Sequence, residues 1–184
     1  MQLVRPASPH LAGYTAALQR GWSPDNVRGQ AAALEELAEI EADAAAFLAG
    51  MEDLDAKGPP IGMPDGTFVK RLPGFHRWMW DGEFAGTIDF RWQPGTTDLP
   101  PTCLGHIGYS VVPWKRGLGY ATQALRQMLP LVRFSGLAFV ELTTDPDNLA
   151  SRRVVEANGG VLHERFVKPP QLGGMPGLRY RIAL

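Results

Sequence analysis

One short stretch of this chain concentrates groups that hold an anion. Lys115-Arg116-Gly117-Leu118-Gly119-Tyr120-Ala121-Thr122 follows an apolar, β-like run ending at Val111-Val112, and it precedes a helical pattern. A glycine-rich turn between a strand and a helix aims main-chain N–H groups at one spot, beside the positive end of the helix dipole. Gly117 and Gly119 remove side chains, so a phosphate can touch the backbone, and Lys115 and Arg116 add local positive charge. Gly-x-Gly alone is a weak signal, because the same glycines serve any tight turn. Two other phosphate motifs fail on detail. The Walker pattern Gly-x4-Gly-Lys-Ser/Thr is absent, and Thr122 stands where a dinucleotide fingerprint needs a third small residue.

The elements that must position this loop follow from local pattern. Met1 to Arg5 predicts a short strand, and Pro9 to Arg20 a helix that Gly21 stops. Gln30 to Ala49 is rich in Ala and Glu, with Leu34, Leu37, Ile40 and Leu48 at near-helical spacing, and predicts a long helix closed by Gly50. Residues 55–66 and 94–101 predict loops. Phe75 to Trp80 and Glu83 to Trp92 are aromatic β-like runs joined by Asp81-Gly82, a hairpin signal. Leu104 to Val112 predicts a strand, and Gly117 or Leu118 to Phe134 a helix kinked by Pro130. Ala138 to Thr143 predicts a strand, Asn148 to Asn158 a helix stopped by Gly159-Gly160, and Val161 to Val167 and Leu178 to Ile182 closing strands. The order implies one α/β domain over residues 1–184, a central mixed sheet with helices on both faces.

Bulk properties narrow the function classes. A net charge of −1 gives no global field to recruit nucleic acid or an anionic membrane, so any anion site is local. Cys103 is the single cysteine, so no disulfide forms within the chain, and a reducing cytoplasm is expected. No base partner marks Cys103 out as a nucleophile, and no metal site is expected. No apolar run approaches the ~18–20 residues of a membrane span.

The loop Arg116-Gly-Leu-Gly119-Tyr-Ala121 resembles the Gln/Arg-x-x-Gly-x-Gly/Ala loop of the GNAT (GCN5-related N-acetyltransferase) superfamily. Gly105-His106-Ile107-Gly108-Tyr109-Ser110-Val111 resembles the strand before it in that family. Asp147-Asn148-Leu149-Ala150-Ser151-Arg152-Arg153, with the run to Gly159-Gly160, resembles the family's last motif. The three stand in family order over residues 104–160 and look like a bacterial group of predicted acetyltransferases whose acceptor is unspecified.

That resemblance implies a GNAT-like fold and acetyl-CoA as cofactor. Its pyrophosphate would lie on the Leu118 to Thr122 amides, with its pantetheine arm along Ser110, Val111 and Val112 and held by Asn148. Lys115, Arg152 or Arg153 would meet the 3′-phosphate. The implied reaction is acetyl transfer to an amine of a small molecule or peptide. An amine of pKa ~10 must lose a proton, at ~4 kcal/mol near neutral pH. The developing oxyanion needs an N–H donor, expected at Val111 or Val112. His106 replaces a Glu common in relatives and titrates near neutrality, which makes it the first candidate base; Glu141 and Asp89 are the alternatives. Relatives often carry an acid Tyr seven residues after the Asn, where this chain has Val155. Ser151 then becomes the candidate donor to the leaving sulfur. The missing Tyr also leaves open a catalytically silent acyl-CoA-binding module. Homodimers are common in the family and form a further expectation. Trp78, Trp80 and Trp92 are expected in the sheet core, with the acceptor mouth as their alternative place.

Overall fold

In a computed structural model the described residues are 1–63 and 65–184. The chain runs β1 (Gln2–Val4), α1 (Ser8–Gln19), α2 (Gln30–Gly50), β2 (Glu52–Asp53), β3 (Ile61–Gly62), β4 (Phe68–Val69), β5 (Gly74–Trp80), β6 (Phe84–Arg91) and β7 (Ile107–Val111). It continues through α3 (Tyr120–Leu131), β8 (Phe139–Thr144), α4 (Leu149–Glu156), β9 (Val161–Val167) and β10 (Pro176–Ala183). The predicted order of long elements is the observed one.

The single central sheet resolves into two antiparallel parts. One runs β1-β5-β6-β7 with β2 beside β5, and the other runs β8-β10-β9. They touch at one main-chain bond, where the His106 N–H donates to the Glu141 carbonyl at 2.7 Å. Beyond it β7 and β8 share no ladder among the described residues, so the sheet opens into a gap.

Helices cover both faces, because neighbouring strand residues point to opposite sides. Trp78 packs under α1 and α2 with Tyr14, Trp22, Phe47 and Phe84. The adjacent Met79 packs on the other face with Ala124, Leu125 and Met128 of α3. Both residues are wholly buried. Trp78 and Trp92 are therefore core, and Trp80 meets the His10 ring edge-on at 4.5 Å.

Local differences have local causes. The run predicted as one long helix breaks at Asp43 (φ −157°, ψ 92°), whose carboxylate accepts from the Ala45 and Ala46 N–H groups and so caps a second segment. The predicted loop over 55–66 carries half of the small β3–β4 hairpin, and position 64 lies outside the described residues. Pro130 sits one residue before the end of α3, so the bond it removes falls in the last turn.

Candidate active site

The strand β7 is paired on one side only. Its register with β6 runs from Ile107 opposite Phe90 to Val111 opposite Gly86. Flanking bonds from Arg91 N–H to the His106 carbonyl and from Val112 N–H to the Ala85 carbonyl set the phase of the ladder. By antiparallel alternation Gly108 and Ser110 spend their main-chain groups on β6. Those of Tyr109 and Val111 face the gap. The expectation that Val112 lends its amide to an oxyanion is thereby corrected, since that N–H is bonded to Ala85 at 3.0 Å. Ser110 is also committed through its side chain: Oγ accepts from Trp22 Nε1 at 3.0 Å and donates to the Ser23 carbonyl at 3.2 Å.

Past Val112 the chain makes a single 3-10 turn, Pro113–Lys115, and then two left-handed glycines, Gly117 (φ 79°) and Gly119 (φ 75°). Gly119 caps α3, whose first main-chain bond is from Gln123 N–H to the Gly119 carbonyl. The amides of Tyr120, Ala121 and Thr122 thus belong to the unpaired first turn. A side chain at Gly117 would meet nothing within 4 Å, which leaves the cradle open to an anion. The basic residues are less free than expected. Lys115 Nζ is 2.5 Å from Asp81 and 3.2 Å from Glu83, and Arg116 Nε donates to the Val111 carbonyl at 3.2 Å. Asp81 also accepts from the Tyr120 hydroxyl at 2.6 Å. Those hydrogen bonds from Lys115 and Tyr120 hold its carboxyl down at about 2. The hairpin turn predicted from Asp81-Gly82 therefore braces the glycine loop, a role its sequence did not reveal.

Across the gap, Asn148 caps α4 by accepting from the Ser151 N–H at 3.0 Å, so its oxygen is occupied and its amide nitrogen remains. Arg152 folds back to donate to the Pro146 carbonyl at 3.1 Å, whereas Arg153 is exposed on the rim of the cleft. Val155 is buried in the core. The Tyr109 hydroxyl reaches the Ser151 carbonyl at 3.4 Å, and burial raises its pKa. A protonated phenol therefore stands at the first turn of α4 beside Ser151, although position 155 supplies none.

His106 and Glu141 come together, but as a fastening. His106 is fully buried, and its Nδ1 accepts from the Glu141 N–H at 3.0 Å. The ring proton is thus fixed on Nε2, which is buried without a protein partner among the described residues. Burial pushes the imidazole down to about 4. Glu141 is buried too. Desolvation would raise its carboxyl, but hydrogen bonds from Arg179 (2.6 Å) and Arg181 (3.0 Å) outweigh this and hold it low. The His106 Nδ1 lone pair is thus taken by the Glu141 N–H, and the Glu141 carboxylate is taken by two arginines. We expect His106→Ala to cost about 1–3 kcal/mol in urea denaturation, because the Glu141 N–H loses its partner. The pH–rate profile should keep its inflections; losing one in the variant would return His106 to the base role.

A cleft of about 1370 Å³ runs from the glycine loop and the gap to the space between α2 and the first sheet. Its floor is the α2-facing side of the first sheet, with His76, Thr87, Asp89, Gly108 and Ser110. Asp89 pairs with Arg91 at 2.8 Å, and burial lowers the pKa of His76. Asp25, Arg28 and Glu36, from α2 and the loop before it, line the same cleft. The Tyr14 hydroxyl donates to Glu36 Oε2. Burial, opposed by that bond and by Arg28 but reinforced by Glu39 and Asp25, raises the Glu36 carboxyl to about 7. The sequence reading missed Glu36, because in an Ala- and Glu-rich helix a glutamate reads as a solvated helix former.

A family model described as an acetyltransferase (GNAT) domain matches residues 34–161. None of the curated proteins matches the sequence significantly. Among solved structures, the chain is similar to the microcin self-immunity acetyltransferase MccE in complex with acetyl-CoA and AMP. The TM-score there is 0.62 at 14% identity, over 99% of this chain and 91% of that one. RimL, a ribosomal-protein alpha-N-acetyltransferase, in complex with coenzyme A gives 0.61 at 16%, over 99% and 93%. RimJ of Mycobacterium smegmatis with a CoA disulfide gives 0.58 at 19%, over 97% and 79%. At such identities the structures show a shared fold, and the family model carries the assignment. The chain belongs to the GNAT acetyltransferases, a family whose enzymes draw their acetyl group from acetyl-CoA.

Proposed function

We propose that this protein transfers the acetyl group of acetyl-CoA to a primary amine of a small-molecule or peptide acceptor by direct attack. The observation that supports it best is the unpaired main-chain edge of β7, which runs straight into the open glycine cradle. When bound, the cofactor supplies a thioester whose carbonyl carbon is the electrophile. Tyr109 offers main-chain groups to the pantetheine arm, and the amides of Tyr120, Ala121 and Thr122 receive the pyrophosphate. Arg153, exposed and on the rim, is better placed for the 3′-phosphate than Lys115 or Arg152, which are engaged elsewhere. Val111 turns its N–H into the gap, where it stabilises charge developing on the carbonyl oxygen. The Ser151 hydroxyl stands ready to hydrogen-bond the leaving sulfur, while the Tyr109 hydroxyl donates to the Ser151 carbonyl and braces that turn.

The test is thermal unfolding with acetyl-CoA, CoA, ATP and NAD in parallel, followed by CoA release over an amine panel. A ligand at a hundred times its Kd adds ~2.7 kcal/mol when it binds only the folded state. Stabilisation by the two CoA ligands, with amine-dependent CoA release, is the expected result. Stabilisation by ATP or NAD alone would overturn the reading.

A further inference from the structure

Resting on the acetyl-transfer reading, we propose that Glu36 is the general base that deprotonates the acceptor amine, and that the acceptor presents this amine as a cation under α2. Glu36 belongs to the wall of the cleft that faces the sheet floor, and the same cleft holds Ser110 and Val111 of β7. One carboxylate oxygen, Oε2, is fixed by the Tyr14 hydroxyl, while Oε1 makes no hydrogen bond among the described residues. Tyr14 is stacked on Trp78 at 4.7 Å and meets Trp22 edge-on at 5.7 Å. Trp22 in turn donates to Ser110 Oγ. This aromatic chain ties the carboxylate rigidly to the strand along which the cofactor is read.

The charged groups around Glu36 suit a cation. Glu35 and Glu39 come from α2, and Asp25 and Arg28 from the loop before it. Arg28 is spent on Glu35 and on Asp25, the latter at 3.5 Å. Tyr14, from α1, is strongly shifted upward by burial and by Glu36, so it stays a donor. A carboxyl near 7 is half ionised at neutral pH, and such a base matches proton transfer at that pH. The other acids of the site fit the role less well, since Asp89 is paired with Arg91 and Glu141 with two arginines.

The step balances without a further reactant. Glu36 takes one proton from the ammonium, and the freed lone pair forms the C–N bond. The C–S bond breaks with its electron pair on sulfur. The second amine proton goes to the thiolate through the Ser151 hydroxyl, which accepts one proton as it gives up another, and Glu36 returns its proton to water.

Glu36→Gln and Tyr14→Phe test this against n-alkyl diamines, amino-acid amides and short peptides with free N-termini. In the wild type the rate should fall as pH drops through about 7, because a base must be unprotonated. Glu36→Gln should lose 10²–10⁴-fold in kcat and lose that acidic limb, with acetyl-CoA stabilisation unchanged. Tyr14→Phe removes a bond that favours the carboxylate, so the limb should move to higher pH. A retained limb and rate in Glu36→Gln would overturn the base while leaving acetyl transfer intact. Failure of the wild type to bind acetyl-CoA would instead sink the transfer reading. Independently of any acceptor, the Glu36 carboxyl followed by carbon-13 NMR should titrate near 7; titration at the ordinary carboxylate value would overturn the proposal.

Discussion

Gly119→Asp should abolish acetyl-CoA binding in a chain that still folds. Gly119 is the left-handed N-cap of α3, and a β-carbon there would meet only the flexible end of Gln123, at 3.9 Å. Aspartate tolerates the left-handed region better than most residues, so the fold should survive. Its carboxylate would occupy the Tyr120, Ala121 and Thr122 amides and face the pyrophosphate. Two like charges ~5 Å apart at an effective dielectric near 20 repel by ~3 kcal/mol, which is more than 10²-fold in Kd. Calorimetric titration checks the affinity, and circular dichroism checks the fold. Unchanged affinity in the folded variant would remove the loop from the cofactor site.

Gly86→Ala should be the most damaging small substitution, lowering stability by about 3–5 kcal/mol. Gly86 has φ 152°, and its β-carbon would lie 2.3 Å from the Ser110 carbonyl oxygen and 2.9 Å from the Val111 Cα. Both atoms are main chain, so no rotamer change relieves the clash. The position lies beside a bulge, where Met79 pairs with Gly86 but Trp80 pairs with Phe84. Pushing β7 away here would also distort the edge that leads into the glycine loop. Urea denaturation measures the loss, and a change within 0.5 kcal/mol would mean that the β6–β7 approach is looser than the structure shows.

Legible in the sequence were the order of the long elements, the Asp81-Gly82 hairpin, the glycine turn before α3 and the resemblance to the family. Each is encoded over a few neighbouring residues: glycines where φ must be positive, alternation in the strands, and helical spacing in α3. What those residues are free to do is set by partners that only folding brings to them. His106 looked like a base from its type and strand position. The 35 residues to Glu141 bring that backbone onto its Nδ1 and turn the pair into a sheet fastening. Lys115 looked available for phosphate until the hairpin set Asp81 against it. Val111 and Val112 were indistinguishable in the sequence, and only the phase of the β6 ladder leaves one amide open and consumes the other. Glu36 is an ordinary helix glutamate until Tyr14 of α1 half-buries it and folding brings it to the cleft that β7 also lines. Availability of a lone pair, a proton or an amide depends on partners distant in the chain, and local sequence carries no record of them.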